Sequence, residues 1–179
     1  MSTLAQGVLS YIEDKDHRLM RCVHRWRAPR WVRLWMICAT RGGDGWLWYL
    51  LGAMLAAVGG APGAQAVQES TLAAGAGIGL FLWLKRVTGR KRPCALEPHC
   101  WSRLLPPDQF SFPSGHTITA FAVAVPLVSH FPGMGPGLWF CAVSIGVSRI
   151  LLGMHFLSDV TAGAILGSLL GQIAHSLLH

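Results

Sequence analysis

Three short segments of this chain carry side chains able to act on a phosphate group. Lys85 is followed, after six residues, by Arg92-Pro93. A guanidinium offers a planar fork and an ammonium a point charge, and both suit phosphate oxygens. Pro113-Ser114-Gly115-His116 opens an apolar stretch. A helix beginning there would direct unpaired N–H groups and the positive end of its dipole at an anion. Ser114 would add a hydroxyl, and Gly115 would let an oxyanion approach the backbone. Ser148-Arg149 precedes His155 by five intervening residues, and Asp159 lies four positions beyond that histidine. On a helix that spacing puts His155 and Asp159 on one face. A carboxylate so placed can accept one imidazole N–H, fix the tautomer and leave the other nitrogen to attack.

Each segment alone also has an ordinary structural reading. Cations at a span end can snorkel to the interface. Ser114 can serve as a helix cap. A histidine–carboxylate pair can be a satisfied buried pair. Taken together the segments supply Lys85, Arg92 and Arg149 as cations, a helix N-terminus, two histidines and Asp159. That inventory suits in-line phosphoryl transfer, which needs charge neutralisation, a nucleophile and an acid for the leaving group.

The elements that must position these groups are apolar helices. Residues 3–26 alternate apolar and charged positions and read as an amphipathic helix lying in a membrane interface. Trp31–Thr40 is apolar but short for a bilayer core of about 30 Å, and is expected as a short or tilted first span. Further spans are expected from Asp44 or Gly45 to Gly59, Val67 to Val87, Ser114 to His130, Leu138 to Leu152 and His155 to Leu178, with a turn at Gly60–Gly63. Gly163, Gly167 and Gly171, and likewise Gly75 and Gly79, recur every fourth residue, the spacing that lets helix backbones touch. The expected architecture is an all-α integral membrane bundle of about six transmembrane helices, with residues 1–28 as the interfacial helix and 29–179 as the catalytic domain. If every apolar segment crosses once, the Lys85–Pro113 loop, the start of the Ser114 helix and the Arg149–His155 turn share one face.

Composition points the same way. Of 179 residues, 52% are hydrophobic and only 13% charged, against about 25% charged in soluble domains. The formal net charge is +7, and the basic runs flank apolar spans, which argues for anionic lipid rather than nucleic acid as partner.

The three segments resemble the signature of the type 2 phosphatidic acid phosphatase family, with matching spacings in the first and third. The resemblance implies a membrane lipid phosphatase that works without metal or other cofactor. It implies that His155 attacks phosphorus and becomes phosphohistidine, and that Asp159 orients it. His116 would protonate the leaving oxygen and then activate water. Lys85, Arg92 and Arg149, with Ser114 and the Gly115 N–H, would hold the phosphoryl oxygens. Phosphatidic acid, phosphatidylglycerol phosphate, a polyprenyl diphosphate such as undecaprenyl diphosphate, and phosphorylated lipid A all fit as substrates. A lipid phosphotransferase using the same phosphohistidine and a non-catalytic protein binding or transporting anionic lipids are the alternatives.

A rival metal site of His116, His155 and Asp159 is disfavoured by the cations around it. Asp44, between glycines at a span start, reads first as a helix cap and secondarily as a partner of the site. Cys94 and Cys100 share a polar loop and can bridge in an oxidising compartment. Two charge arguments on orientation disagree: the basic Lys85–Arg103 loop by itself points to the cytoplasm, but if Trp31–Thr40 crosses, the basic Arg18–Arg33 segment lies opposite the active site, and the favoured expectation is a site on the outer, periplasmic face of a bacterial inner membrane.

Overall fold

A computed structural model describes residues 3–96 and 109–179. Its helices are α1 (Thr3–Arg25), α2 (Arg30–Arg41), α3 (Leu47–Val58), α4 (Gly60–Thr88), the short α5 (Pro93–Leu96), α6 (Gly115–His130), α7 (Gly135–Leu151) and α8 (Leu157–Leu178). A π-turn, Gly42–Trp46, links α2 to α3, and a 3₁₀ turn, Pro132–Met134, leads into α7. Among the described residues the β structure is a single antiparallel bridge, Lys91 to Phe110. The all-α bundle expected from the sequence is borne out. Among the described residues two segments, Pro132–Leu151 and Leu157–Leu178, are long and apolar enough to cross a membrane, each with mean hydropathy 1.3. Large apolar side chains on the outside, such as Leu50, Val58, Trp83, Ile165 and Leu177, suit contact with lipid rather than water.

The core is thin in side-chain bulk because α4, α6 and α8 pack backbone to backbone. Ala66, Ala120, Ala122, Ala124 and Ala142 are fully buried. A Cβ added at Gly163, Gly167 or Gly171 would lie 2.9, 2.4 or 2.9 Å from the carbonyl oxygens of Ser114, Ile118 and Ala122 on α6. The four-residue glycine repeat of α8 is therefore the seam along which α6 lies. The expectation for Gly75 and Gly79 is corrected: nothing lies within 4 Å of a Cβ placed at either. The close approach on α4 is at Gly77 instead, where a Cβ would meet Ile118 Cγ2 at 2.7 Å. A phase error of two residues turns a helix position by about 200°, from one face to the other.

The turn expected at Gly60–Gly63 is already helix. The chain reverses at Gly59–Gly60, where Gly60 takes a left-handed φ of 60°, and Pro62 fits the first turn of α4, where its missing N–H has no intrahelical partner to lose.

The N-terminal quarter departs most from expectation. Val32 and Met36 of α2 pack with Ala28 against Leu152 and Met154, just beyond α7, and Thr40 accepts a hydrogen bond from Arg149 Nη1 at 2.5 Å. Val32 near the start of α2 and Thr40 near its end thus both reach the end of the bundle that holds Arg149, while Trp35 between them meets Phe140 on the flank of α7 at 5.4 Å between ring centroids. Trp31–Thr40 does not carry the chain across the bundle, for a simple reason of length: ten helical residues rise about 15 Å, half a bilayer core. Asp16 of α1 is buried at that same end, bonded to Arg90 and Ser158. The Arg18–Arg33 segment consequently flanks the end that holds Arg149 and His155, and the expectation that it lies opposite is corrected.

Gly167→Ala is expected to destabilise the detergent-solubilised protein by about 1–3 kcal/mol through overpacking, while Gly79→Ala leaves the thermal unfolding midpoint unchanged. A midpoint insensitive to Gly167→Ala would contradict this seam.

Candidate active site

Side chains from four separate segments meet at one end of the bundle. The first is the end of α4, where Lys85 is buried with its ammonium 5.1 Å from the Phe81 ring centroid. Gly89, at a left-handed φ of 58°, closes the helix there. The chain then runs extended through Arg90, Lys91 and Arg92, and the Ser111 N–H bonds the Arg90 carbonyl at 2.7 Å. Extended backbone sends alternate side chains to opposite sides. Lys91 is accordingly exposed, whereas Arg90 and Arg92 turn inward.

Arg92, only 1% exposed, donates to the Met154 carbonyl at 3.0 Å and lies 3.2 Å from His155 Nε2. His155 sits in the tight turn between α7 and α8, which Gly153 permits with a φ of 69°. The amides of Met154 and His155 both donate to the Arg149 carbonyl, and Cys94 N–H donates to the Gly153 carbonyl, which locks this turn to the Arg92 segment. His155 Nδ1 is 2.6 Å from the Ser111 carbonyl oxygen. A carbonyl can only accept, so Nδ1 carries the proton and Nε2 presents its lone pair toward Arg92. Burial, then the positive charges of Arg149, Arg92 and Lys85, hold the His155 pKa well below the ordinary histidine value, so the ring is neutral at neutral pH.

Asp159 stands where the sequence puts it but not in the expected hydrogen bond. Its Oδ2 is 3.7 Å from His155 Nδ1 and instead accepts the Phe156 N–H at 2.8 Å, capping α8. Its Oδ1 accepts from Arg90 at 2.7 Å. Arg90 also donates to Asp16 Oδ2 at 2.8 Å and lies over the Phe156 ring. The direct holder of the imidazole is Ser111, with Asp159 as a charge behind it, tied through Arg90 to α1.

His116, in the first turn of α6, has its own carboxylate: Nε2 is 2.7 Å from Asp44 Oδ1. The π-turn delivers that aspartate. A Cβ at Gly43 would lie 3.1 Å from His116 Cδ2 and 2.9 Å from Ile145, and Gly45 takes a φ of 115°, so glycines flank Asp44 for steric reasons. The helix-cap reading of Asp44 gives way to the partner reading. Ser114 is fully buried and its hydroxyl pairs with Thr117 Oγ1 at 2.8 Å, so it does not face the site. Gly115 does.

Lys85, Arg92, Gly115, His116, Arg149 and His155 all line one cavity of about 510 Å³. Past them it continues between α3 and α4, along Trp48, Gly52, Val67, Gly75 and Ile78. From Val67 to Lys85 the wall of α4 is about 27 Å long at 1.5 Å per residue. The rival metal set is not assembled: Asp159 is held by Arg90 and the Phe156 amide, and His116 by Asp44. Cys100, the proposed partner of Cys94, lies outside the described residues.

A helical bundle with histidines and buried cations at the mouth of an apolar cleft defines a membrane-embedded phosphatase. The chain belongs to the PAP2 superfamily, whose pattern matches residues 46–179. It is 32% identical over 148 residues to the decaprenylphosphoryl-5-phosphoribose phosphatase of Mycobacterium tuberculosis, covering 79% of this chain and 80% of that protein. Among solved structures, Aquifex aeolicus LpxE superposes with a TM-score of 0.75 at 30% identity, over 89% of this chain and 93% of its own. The transmembrane PAP2 type phosphatidylglycerolphosphate phosphatase of Bacillus subtilis gives 0.73 at 26% identity, over 93% and 86%.

Arg90, Asp16, Asp44, Ser111 and Thr40 were not singled out by the sequence as binding or catalytic groups, beyond the secondary reading of Asp44. Arg90→Gln would strand buried Asp159 without its cation and is expected to destabilise the protein by on the order of 3 kcal/mol. Adding Asp159→Asn should recover much of that loss in thermal unfolding; a purely additive double variant would refute the coupling.

Proposed function

We propose that the protein removes phosphate from a membrane lipid by way of a phosphohistidine on His155. The single observation that carries this reading is the continuous cavity that joins a cage of cations and two histidines to an apolar cleft along α4. A phosphate needs the first and an acyl or prenyl tail the second. Lys85, Arg92 and Arg149 would neutralise the equatorial oxygens, aided by the N–H groups at the start of α6. His155 Nε2 attacks phosphorus as the bond to the lipid oxygen breaks. His116 gives that oxygen a proton from the ring nitrogen not bonded to Asp44, entering the step as an imidazolium whose charge the Asp44 carboxylate and the bound phosphate offset against Arg149 and Lys85. The same ring then takes a proton from water as the water oxygen attacks the phosphohistidine, which releases phosphate and frees His155. Asp159, through its charge, and the Ser111 carbonyl, through its hydrogen bond, favour the positive charge that His155 gains when phosphorylated.

By their names, two of the relatives act on decaprenylphosphoryl-5-phosphoribose and on lipid A, and the tail cleft suits a long-chain phosphomonoester or diphosphate. α1, amphipathic and packed at the active end, is proposed to lie in the membrane interface, with residues 1–28 set apart from the bundle of residues 29–179.

The orientation expected from the sequence relied on α2 crossing the bilayer. Since the Arg18–Arg33 segment flanks the active end, and the chain reversals at 59–60 and 131–134 at the other end carry no Lys or Arg, charge counting now favours an active site facing the cytoplasm. In a cysteine-free background, Arg27→Cys should react with an impermeant thiol reagent only after lysis, and Gly133→Cys in intact cells. The reverse pattern would restore the outward orientation.

His155→Ala is expected to lower phosphate release from purified protein across a panel of lipid phosphates by more than about a thousandfold, with unfolding temperature retained and activity of the parent unaffected by chelator. Persistent turnover in His155→Ala would exclude the phosphohistidine. Because the His155 pKa is depressed, its nucleophilic form persists as pH falls through the ordinary histidine range and is lost only below it. Single-turnover trapping of phosphoenzyme should therefore hold its rate from neutral to mildly acidic pH. An acid limb at the ordinary histidine value would contradict that depression.

A further inference from the structure

At the end of the bundle opposite the active site, Glu69 of α4, His130 at the close of α6, and His175 and His179 at the close of α8 face one another. Their ligand atoms all lie within 4.8 Å of each other. Glu69 is fully buried, His130 is 7% and His175 19% exposed, and His179 is open to solvent. Glu69 Oε1 is 3.0 Å from His130 Nε2, and Oε2 is 2.8 Å from His175 Nδ1. The three imidazoles crowd together, with ring centroids 4.8 to 5.9 Å apart. The phosphatase mechanism uses none of these residues.

We propose that this cluster is a binding site for a divalent cation of the zinc type. Three imidazole nitrogens and one carboxylate oxygen are a complete tetrahedral donor set for that class. Ligands on one ion stand about 3.3 Å apart for bonds of about 2.0 Å; the two Glu69–imidazole distances, 3.0 and 2.8 Å, are close to this, and the whole set, within 4.8 Å, needs only side-chain adjustment to reach it. His175 and His179 are one helical turn apart, the spacing that lets two histidines of one helix share an ion. The electrostatics favour it as well. The active site sets its histidines among cations, which repel a metal ion. Here the neighbouring turns carry no Lys or Arg, and the cluster's formal charge is that of the Glu69 carboxylate. A buried carboxylate in a membrane bundle is costly unless it is paired, and an ion would neutralise it fully. Exposed His179 gives the ion a way in. An ion held there would clamp α4, α6 and α8 together about 21 to 27 Å from the active site, the rise of α6 from His116 to His130 and of α8 from Leu157 to His175, and would not take part in phosphate chemistry.

The alternative is that Glu69 merely accepts imidazole N–H bonds. Metal-stripped, detergent-purified protein titrated with cobalt(II) decides between them. The site predicts one equivalent of saturable binding with the visible bands of tetrahedral cobalt, displaced by zinc, and a raised unfolding temperature with zinc. His179→Ala removes a solvent-exposed ligand that packs no core, and should weaken cobalt binding at least tenfold while phosphate release is unchanged. Glu69→Gln should abolish binding, and His155→Ala should leave it intact. Absence of saturable binding, binding indifferent to His179→Ala, or binding lost in His155→Ala would each overturn the proposal. Phosphatase activity is read separately, so failure here leaves the phosphatase reading standing.

Discussion

Three cations buried within one cavity, beside a neutral imidazole, are the constraint around which the active end is organised. Lys85, Arg92 and Arg149 repel one another at close range in a medium that screens poorly. The backbone of each is locked by a different device. Gly89 ends α4 just past Lys85, extended pairing with residues 110–112 turns Arg92 inward, and the Gly153 turn anchors Arg149 and His155 to each other. A dianionic phosphate relieves the repulsion, so the pocket favours the very group on which it acts. The histidine feels the same field. Its Nε2 lone pair, turned toward Arg92, stays unprotonated because a proton there is disfavoured by its neighbours and by burial.

The rest of the bundle holds that end in place with little side-chain material. α8 lies on α6 along bare glycine backbone, which fixes the height of Asp159 and Phe156 relative to Ser114 and Gly115. Ser114 N–H donates to the Asp159 carbonyl at 3.1 Å, so the helix seam and the site are one structure. α1 and α2 close the outside of it: Asp16 reaches Arg90, and Thr40 reaches Arg149. In this arrangement the buried charges are tied in series, from α1 through Arg90 to Asp159 and on toward His155.

The residues that line the polar end of the cavity were legible in the sequence because their chemistry is carried by short spacings. Lys85 with Arg92, and Arg149 with His155, are separated by about two helical turns or one tight turn, and connectivity alone places them at one end. Their supporters were not legible. Asp44 meets His116 across 72 positions, Thr40 meets Arg149 across 109, and Asp16 meets Arg90 across 74. No local pattern marks such pairs. Ser111 acts through its carbonyl, which every residue has, so its identity announces nothing. The glycine repeats show a subtler limit: the spacing in α8 and in α4 is the same, but only helix neighbours decide which phase is the packed one. The reading of Trp31–Thr40 failed on direction rather than type; it is a helix, laid across the end of the bundle by its contacts with Leu152 and Met154.

The cleft between α3 and α4 opens toward the surroundings of the bundle through Tyr49, Gly75 and Ile78, all on the lipid-facing surface. A substrate entering there arrives by lateral diffusion in two dimensions. The quantity that governs occupancy is then its mole fraction among neighbouring amphiphiles, not its molarity in the aqueous phase. Any single-chain amphiphile able to lie along α4 dilutes the substrate and competes with its tail at the same time. Apparent affinities measured in different micelles will differ by surface dilution alone, even though the protein and the phosphate chemistry are the same.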